Sequence, residues 1–282
     1  MPMEILKTVQ IMQKKAHEFI RQGLKIGLVP TMGFLHEGHI ELMRVARKET
    51  DKLIVSIFVN PAQFGPDEDF DKYPRDSEGD IKKAQLAGVD VLFMPTANEM
   101  YQGDYQTTVH LDKVTRGLCA ISRPGHFDGV TTVVAKLFNI TMPHTAVFGR
   151  KDYQQLAVIS RMVKDLNMDI RIIGVDTVRE PDGLAMSSRN KYLNPDERKS
   201  ALCLKKSLDL ANRMFEKGER DAALIKQAVN DLIKEYPFTR IEYINLCHPS
   251  TLEDINTLGD ETILALAVHV GKTRLIDNCL IK

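Results

Sequence analysis

Between residues 4 and 22 the apolar positions Ile5, Val9, Met12, Ala16 and Phe19 recur at steps of four, three, four and three, with Gly23 just beyond them. That spacing predicts one apolar stripe on a helix, closed by a glycine stop. The period then changes: residues 25–30 (KIGLVP) form a short apolar run suited to a buried strand. The alternation continues with a helix over 38–49, the unbroken apolar strand LIVSIFV over 53–59, a helix over 77–87, and a strand over 89–94. After a longer insertion containing a helix over 130–140 come a strand over 146–148, a helix over 152–166 and a strand over 170–175. Strands apolar on both faces that alternate with amphipathic helices predict a parallel sheet covered on both sides, a doubly wound, Rossmann-like α/β fold. Past residue 177 the texture changes to a polar loop (REPDGLAMSSRNKYL), two charged helices over 195–217 and 221–235, and strand-like runs over 240–246, 262–268 and 273–277. Helices followed by strands predict a second, smaller α+β domain, so the expected division is 1–177 and 178–282.

Composition narrows the partners. The chain has 282 residues, room for one large or two modest domains, and sets 38 Lys and Arg against 38 Asp and Glu. A net charge of zero argues against nucleic acid, because gripping several phosphates needs a concentrated basic surface. Nowhere do about 18 apolar residues run uninterrupted, so neither a membrane span nor a signal peptide is expected. Cys119, Cys203, Cys247 and Cys279 are isolated, with no C-x-x-C pair. They read as small buried thiols of a reducing compartment, and a cytoplasmic protein is expected.

In an open parallel sheet, ligands bind beyond the carboxyl ends of the strands, so the residues after each strand carry the candidate chemistry. After the first predicted strand comes PTMGFLHEGH, with His36 and His39 three apart at a helix start and Gly33 and Gly38 positioned to let backbone amides approach an anion. HEGH is one residue short of a zinc-protease H-E-x-x-H and has no obvious third ligand. Gly271-Lys272-Thr273 mimics the end of a P-loop, but Leu266 stands where its first glycine is required. The loop after the second strand, NPAQFG, offers Gln63 as a hydrogen-bonding amide, or is an ordinary Asn-Pro turn. After the strand at 146–148, GRKDYQQ places Lys151 for a phosphate and Gln155 about one helical turn on, or forms a solvated charge cluster. Met186-Ser187-Ser188-Arg189 supplies hydroxyls and a guanidinium suited to phosphate oxygens, or a flexible polar loop. RPGHFDGV at 123–130 reads as a mobile active-site loop, and Val133 and Val134 behind it as pocket lining or core.

The H-x-G-H turn with a late M-S-S-R loop resembles the nucleotidyl-transferase superfamily that binds ATP through an HxGH turn and a KMSKS-like loop, here with Arg189 where related synthetases carry lysine. Within it the ordered strings PTMGFLHEGH, FVNPAQFG, YPR, RPGHFDGV, FGRKDYQQ and VREPDGLAMSSRN resemble the pantoate–β-alanine ligase family. The resemblance implies a ligase joining pantoate and β-alanine with ATP and Mg²⁺, by way of a pantoyl adenylate, with AMP and pyrophosphate released. It implies catalytic roles for His36, His39 and Lys151. For ATP it implies Met32, Gly33, Phe34, Leu35, His36, Glu37, Gly38, His39, Gly149, Arg150, Lys151, Asp152, Val178, Met186, Ser187, Ser188 and Arg189. Gln63 and Gln155 would hold pantoate, Asp80 is a candidate magnesium ligand, the C-terminal domain would close over ATP, and a homodimer is expected. A cytidylyl- or adenylyl-transferase shares the turn, but a phosphate substrate would favour basic residues where Gln63 and Gln155 stand. A tRNA synthetase-like enzyme and a non-enzymatic ATP sensor fit the short, neutral chain less well.

Overall fold

The computed structural model of the protein describes residues 2–66 and 68–282. In chain order the elements are β1 (Glu4–Leu6), α1 (Val9–Arg21), β2 (Ile26–Thr31), α2 (Glu37–Glu49), β3 (Lys52–Ile57), α3 (Ser77–Leu86), β4 (Val91–Phe93), α4 (Ala97–Met100), α5 (Cys119–Ser122) and α6 (His126–Thr141). There follow β5 (Thr145–Gly149), α7 (Tyr153–Asp165), β6 (Arg171–Val175), α8 (Pro195–Ala201), α9 (Cys203–Glu216), α10 (Ala222–Lys234), β7 (Thr239–Cys247), β8 (Thr262–Val270) and β9 (Thr273–Ile281). Short 3₁₀ turns occupy Pro61–Gln63, Arg150–Asp152 and Ser188–Tyr192.

The larger sheet has the order β1-β4-β3-β2-β5-β6, with every paired strand parallel. Its central strands are apolar because both faces are covered: Leu28, Val29, Ile54, Val55, Leu92 and Val147 are all inaccessible to solvent. From β2 the chain steps outward through β3 to β4, then returns to the other side of β2 for β5 and β6. That reversal makes the carboxyl ends of β2 and β5 the switch point where such sheets bind ligands. The smaller sheet, β7-β8-β9, is antiparallel and packs its apolar face with α9 and α10. The fold is the doubly wound α/β sheet with a smaller α+β part that the periodicity predicts.

Local departures have readable causes. Residues 4–6 are an edge strand rather than the start of the first helix; Ile5 fits a helical spacing, but its run pairs with Val91–Phe93 and α1 begins only after Thr8, whose hydroxyl accepts the Ile11 amide. The helix predicted over 195–217 is two, divided at Leu202, whose amide reaches back three residues to Lys199 in a tightened turn. RPGHFDGV is not a loop throughout: Gly125 takes a left-handed conformation (φ 77°) that starts α6 at His126, four residues earlier than expected. Val133 and Val134 are core residues of that helix. The Gly271-Lys272-Thr273 string forms the turn from β8 into β9.

The chain forms two compact units: Met1–Leu111 with Arg123–Arg150 and Gln155–Asp176, and Asp112–Ser122 with Lys151–Gln154 and Thr177–Lys282. Two short excursions thus belong with the C-terminal part, and Gln154 joins them to each other. This buried amide accepts from the Cys119 amide (3.0 Å) and donates to the carbonyls of Val114 (3.1 Å) and Gly117 (2.9 Å), tying one excursion to the other.

Candidate active site

In the first unit, the turn after β2 is held from beneath by one carboxylate. Asp80, at 2% exposure on α3, accepts the Phe34 amide (2.8 Å) and the Leu35 amide (2.6 Å). Gly33 (φ 83°) passes so close over it that a Cβ would stand 2.9 Å from both the Asp80 carboxylate and the Ile57 side chain. Thr31 donates its hydroxyl to the Ser56 carbonyl (2.9 Å) and accepts the Gly33 amide (3.2 Å), while the Lys83 ammonium donates to the Leu35 carbonyl (2.7 Å). The amides of residues 33–36 are already engaged, Gly33 on Thr31, Phe34 and Leu35 on Asp80, and His36 on His39. The first amides of α2, at Glu37 and Gly38, have no intrahelical acceptor and keep the character of a helix N-terminus.

The two histidine rings lie against each other, tilted by 38° with centroids 4.0 Å apart. The His36 backbone N–H donates to His39 Nδ1 (3.2 Å), and because a backbone amide can only donate, Nδ1 is an acceptor. Neutral His39 thus carries its proton on Nε2, as a hydrogen-bond donor.

Gln63 ends the 3₁₀ turn after β3 and is set against the first turn, its Nε2 donating to the Met32 sulfur at 3.1 Å. Its backbone carbonyl accepts from His126 Nδ1 (2.8 Å) and Arg123 (3.2 Å). Arg123 in turn pairs with Glu68 (2.5 Å), whose carboxyl, although burial alone would raise it, is held below the usual range by that guanidinium. The residue type at 129 is dictated by this packing, since a Cβ there would collide with the Ala62 carbonyl. Gln155 is half-buried in α7, Gly149 closes β5, and Arg150 makes an exposed pair with Asp176 (2.8 Å).

In the second unit, Lys151 is half-buried beside Asp152 (3.8 Å), and its carbonyl accepts from Asn278 (2.8 Å). Residues 178–186 form a narrow antiparallel loop, with the Met186 amide on the Val178 carbonyl (2.9 Å) and Gly183 (φ 95°) at its tip. Arg179 grips the buried Asp277 through two bonds (2.7 and 3.0 Å), and Asn190 donates to Glu180 (2.6 Å) and the Ala185 carbonyl (3.0 Å). Met186, Ser187, Ser188 and Arg189 therefore stand on a cross-linked loop; Ser187 accepts the Arg189 amide (3.3 Å) and Ser188 is buried.

The structure does not fit a protein-held magnesium at Asp80. Both its oxygens are engaged by the turn, and no group of three or more His, Cys, Asp or Glu suited to a metal occurs among the described residues. No helix among them is long and apolar enough to cross a membrane. Sequence reasoning missed the residues that hold the site: Asp80 as a clamp, Asn60, Tyr101, Arg123, Gly129 and Gln154. Arg123 and Gly129 lay in a string read as an active-site loop, and Asn60 stood between an apolar strand and Pro61, but the residue types alone did not show what each holds.

Comparison with known proteins agrees with this architecture. A family model for pantoate-beta-alanine ligase matches residues 4–280. The pantothenate synthetase of Geobacter sulfurreducens is 56% identical over 279 residues, 99% of each chain, and that of Syntrophus aciditrophicus 54% identical over 276 residues, 98% of this chain and 96% of its own. The crystal structure of pantothenate synthetase from Thermus thermophilus superposes with a TM-score of 0.92 at 41% identity, covering 98% of this chain and 99% of that one. The pantoate-beta-alanine ligase of Francisella tularensis, complexed with beta-gamma ATP and β-alanine, gives a TM-score of 0.80 at 35% identity over 99% and 97% of the two chains. With a family match over nearly its whole length and a fold shared with solved members, the chain belongs to the pantoate–β-alanine ligase family and is a ligase.

Proposed function

We propose that the protein condenses pantoate with β-alanine in two steps, using ATP and passing through a pantoyl adenylate. The observation that carries this reading is the clamped turn at the sheet's switch point, where His39 is left with its proton on Nε2. A pantoate carboxylate oxygen attacks the α-phosphorus, the bond to the bridging oxygen breaks, and pyrophosphate leaves. Negative charge grows on that bridging oxygen, so a donor from His39, with His36 beside it, favours the transition state over the ground state. The β-alanine amine then attacks the acyl carbon and AMP departs with the bonding electron pair.

Gln63 and Gln155 hold pantoate, and the remaining turn residues Met32, Gly33, Phe34, Leu35, Glu37 and Gly38 shape the nucleotide's seat. Gly149, Arg150, Lys151, Asp152, Val178, Met186, Ser187, Ser188 and Arg189 serve ATP in this reading, with Lys151 and Arg189 on phosphate oxygens, where cationic donors are strongest. The ATP-bound Francisella relative supports nucleotide use. Magnesium would come with the triphosphate rather than on a protein carboxylate, and would supply neutralisation of phosphate charge. A homodimer and a cytoplasmic setting complete the reading and rest on the family resemblance.

The test is incubation with ATP, Mg²⁺ and pantoate alone. Pyrophosphate should appear once per site, with positional isotope exchange in ATP; release that requires β-alanine would overturn the adenylate route. His39→Ala should slow adenylation roughly 10²–10³-fold, the scale of one lost transition-state donor. The same variant should convert preformed pantoyl adenylate at a nearly normal rate; equal slowing there would extend its role to amine attack.

A further inference from the structure

We propose that the Tyr101 hydroxyl is a positioning group for pantoate recognition, acting through the Asn60 amide on the amide of Gln63. The inference rests on the assignment of Gln63 to pantoate and concerns how that side chain is made to present one end rather than the other.

Asn60, at 1% exposure, follows β3 and meets two backbone groups whose polarity is not in question. The Ala62 N–H can only donate, and it donates to Asn60 Oδ1 (3.2 Å); the Gly129 carbonyl can only accept, and it accepts from Asn60 Nδ2 (3.1 Å). The Asn60 amide therefore has one orientation. Its second Nδ2 hydrogen is directed at Gln63 Oε1 (3.2 Å), which makes that oxygen the acceptor and leaves Gln63 Nε2 as the donor end. Nε2 lies on the Met32 sulfur, a weak acceptor, so a carboxylate or hydroxyl oxygen of the substrate gains by replacing it.

Tyr101 sits at the end of α4 and donates its hydroxyl to the same Asn60 Oδ1 at 2.9 Å. Burial pushes its phenol well above the ordinary range, so the group remains a protonated donor. Phe58 (6.3 Å) and Tyr105 (5.0 Å) pack its ring, and the Lys136 ammonium lies 5.6 Å from the ring centre. The hydroxyl is thus aimed at Oδ1 by its own surroundings. With two donors on that oxygen, rotation of the Asn60 amide would face both toward an NH₂ group. The polarity set there propagates to Gln63.

Steady-state kinetics on the full chain as wild type, Tyr101→Phe, Gln63→Ala and the double variant test the relay. Tyr101→Phe keeps the ring and should raise the pantoate KM roughly 3- to 10-fold, the worth of one hydrogen bond, with kcat and the ATP KM unchanged. Gln63→Ala should raise the pantoate KM further, and adding Tyr101→Phe to it should change nothing more. An unaltered pantoate KM in Gln63→Ala defeats the assignment of Gln63, and the relay with it. A raised KM in Gln63→Ala, with Tyr101→Phe either silent or equally harmful in both backgrounds, overturns the relay while the Gln63 assignment stands. A loss spread over pantoate, ATP and thermal stability marks the hydroxyl as packing only, and also overturns it.

Discussion

In each unit a carboxylate shielded from solvent roots a polar network, Asp80 fully buried and Glu242 half-buried, and the two are held by different partners. Asp80 in the first unit accepts two backbone amides, whereas Glu242 in the second takes both arms of Arg274 (2.8 and 2.9 Å), the Ser122 hydroxyl (2.6 Å) and His269 Nε2 (3.0 Å). Burial pushes the Asp80 carboxyl above its usual range despite its amides. Burial opposes ionisation of Glu242 as well, but Arg274 and its neighbours hold that carboxyl down to about 2. Neutral amide donors, one on each oxygen, do not restore the hydration a charge has lost; a bidentate guanidinium largely does. A clamp of the first kind shapes a turn, and one of the second kind cross-links strands at the risk of acid.

The largest effect should come from taking away the cation. Arg274→Met leaves the half-buried Glu242 without its cation, with only Ser122 and His269 beside it, and should cost roughly 3 kcal/mol at pH 7, read from denaturant unfolding. That loss should shrink in acid, where Glu242 takes a proton; a loss independent of pH would show that Arg274 acts by packing. Asp80→Ala strands the Phe34 and Leu35 amides and should cost about 2–3 kcal/mol, together with weaker ATP use as the turn slackens. An Asp80→Ala protein with unchanged stability and ATP affinity would mean that the turn holds its shape without the clamp.

Acid itself separates the two carboxylates. The Glu242 pKa is depressed when folded, so its contribution is present above the usual carboxylate range near 4.5 and is lost as pH falls through about 2. The Asp80 pKa is raised when folded, so its titration has the opposite sign: its contribution is greatest below 3.8 and declines as pH rises. Carboxyl-carbon NMR titration should place the two on opposite sides of their ordinary values, and shifts of the same sign would erase the contrast. The smallest effect belongs to Arg150→Ala. Its pair with Asp176 is exposed, so stability should move by less than about 0.5 kcal/mol, and any larger loss in ATP use would report on the nucleotide instead.

The local alternation of apolar runs carried most of the fold. Central strands without a polar face and helices with one apolar stripe leave few arrangements other than a covered parallel sheet. It failed at residues 4–6, where three residues are too few to show a period and a strand exists only because β4 is there to pair with it. It failed again at His126, where a left-handed Gly125 begins a helix that the charged, glycine-containing string conceals. The candidate chemistry was legible as residue types in the right order after the right strands: the histidine pair, Gln63, Lys151 and the Met186–Arg189 string. How those groups are aimed was not. The Asp80 clamp on Phe34 spans 46 residues, the Tyr101 bond to Asn60 spans 41, and that from Asn60 to Gly129 spans 69. Periodicity reports only which face of its own element a residue occupies, and so it determined the elements, their layering and the inventory of reactive groups. Which amide end faces a substrate and which carboxylate keeps its charge were decided in the tertiary structure, because each depends on a donor or acceptor brought from another part of the chain.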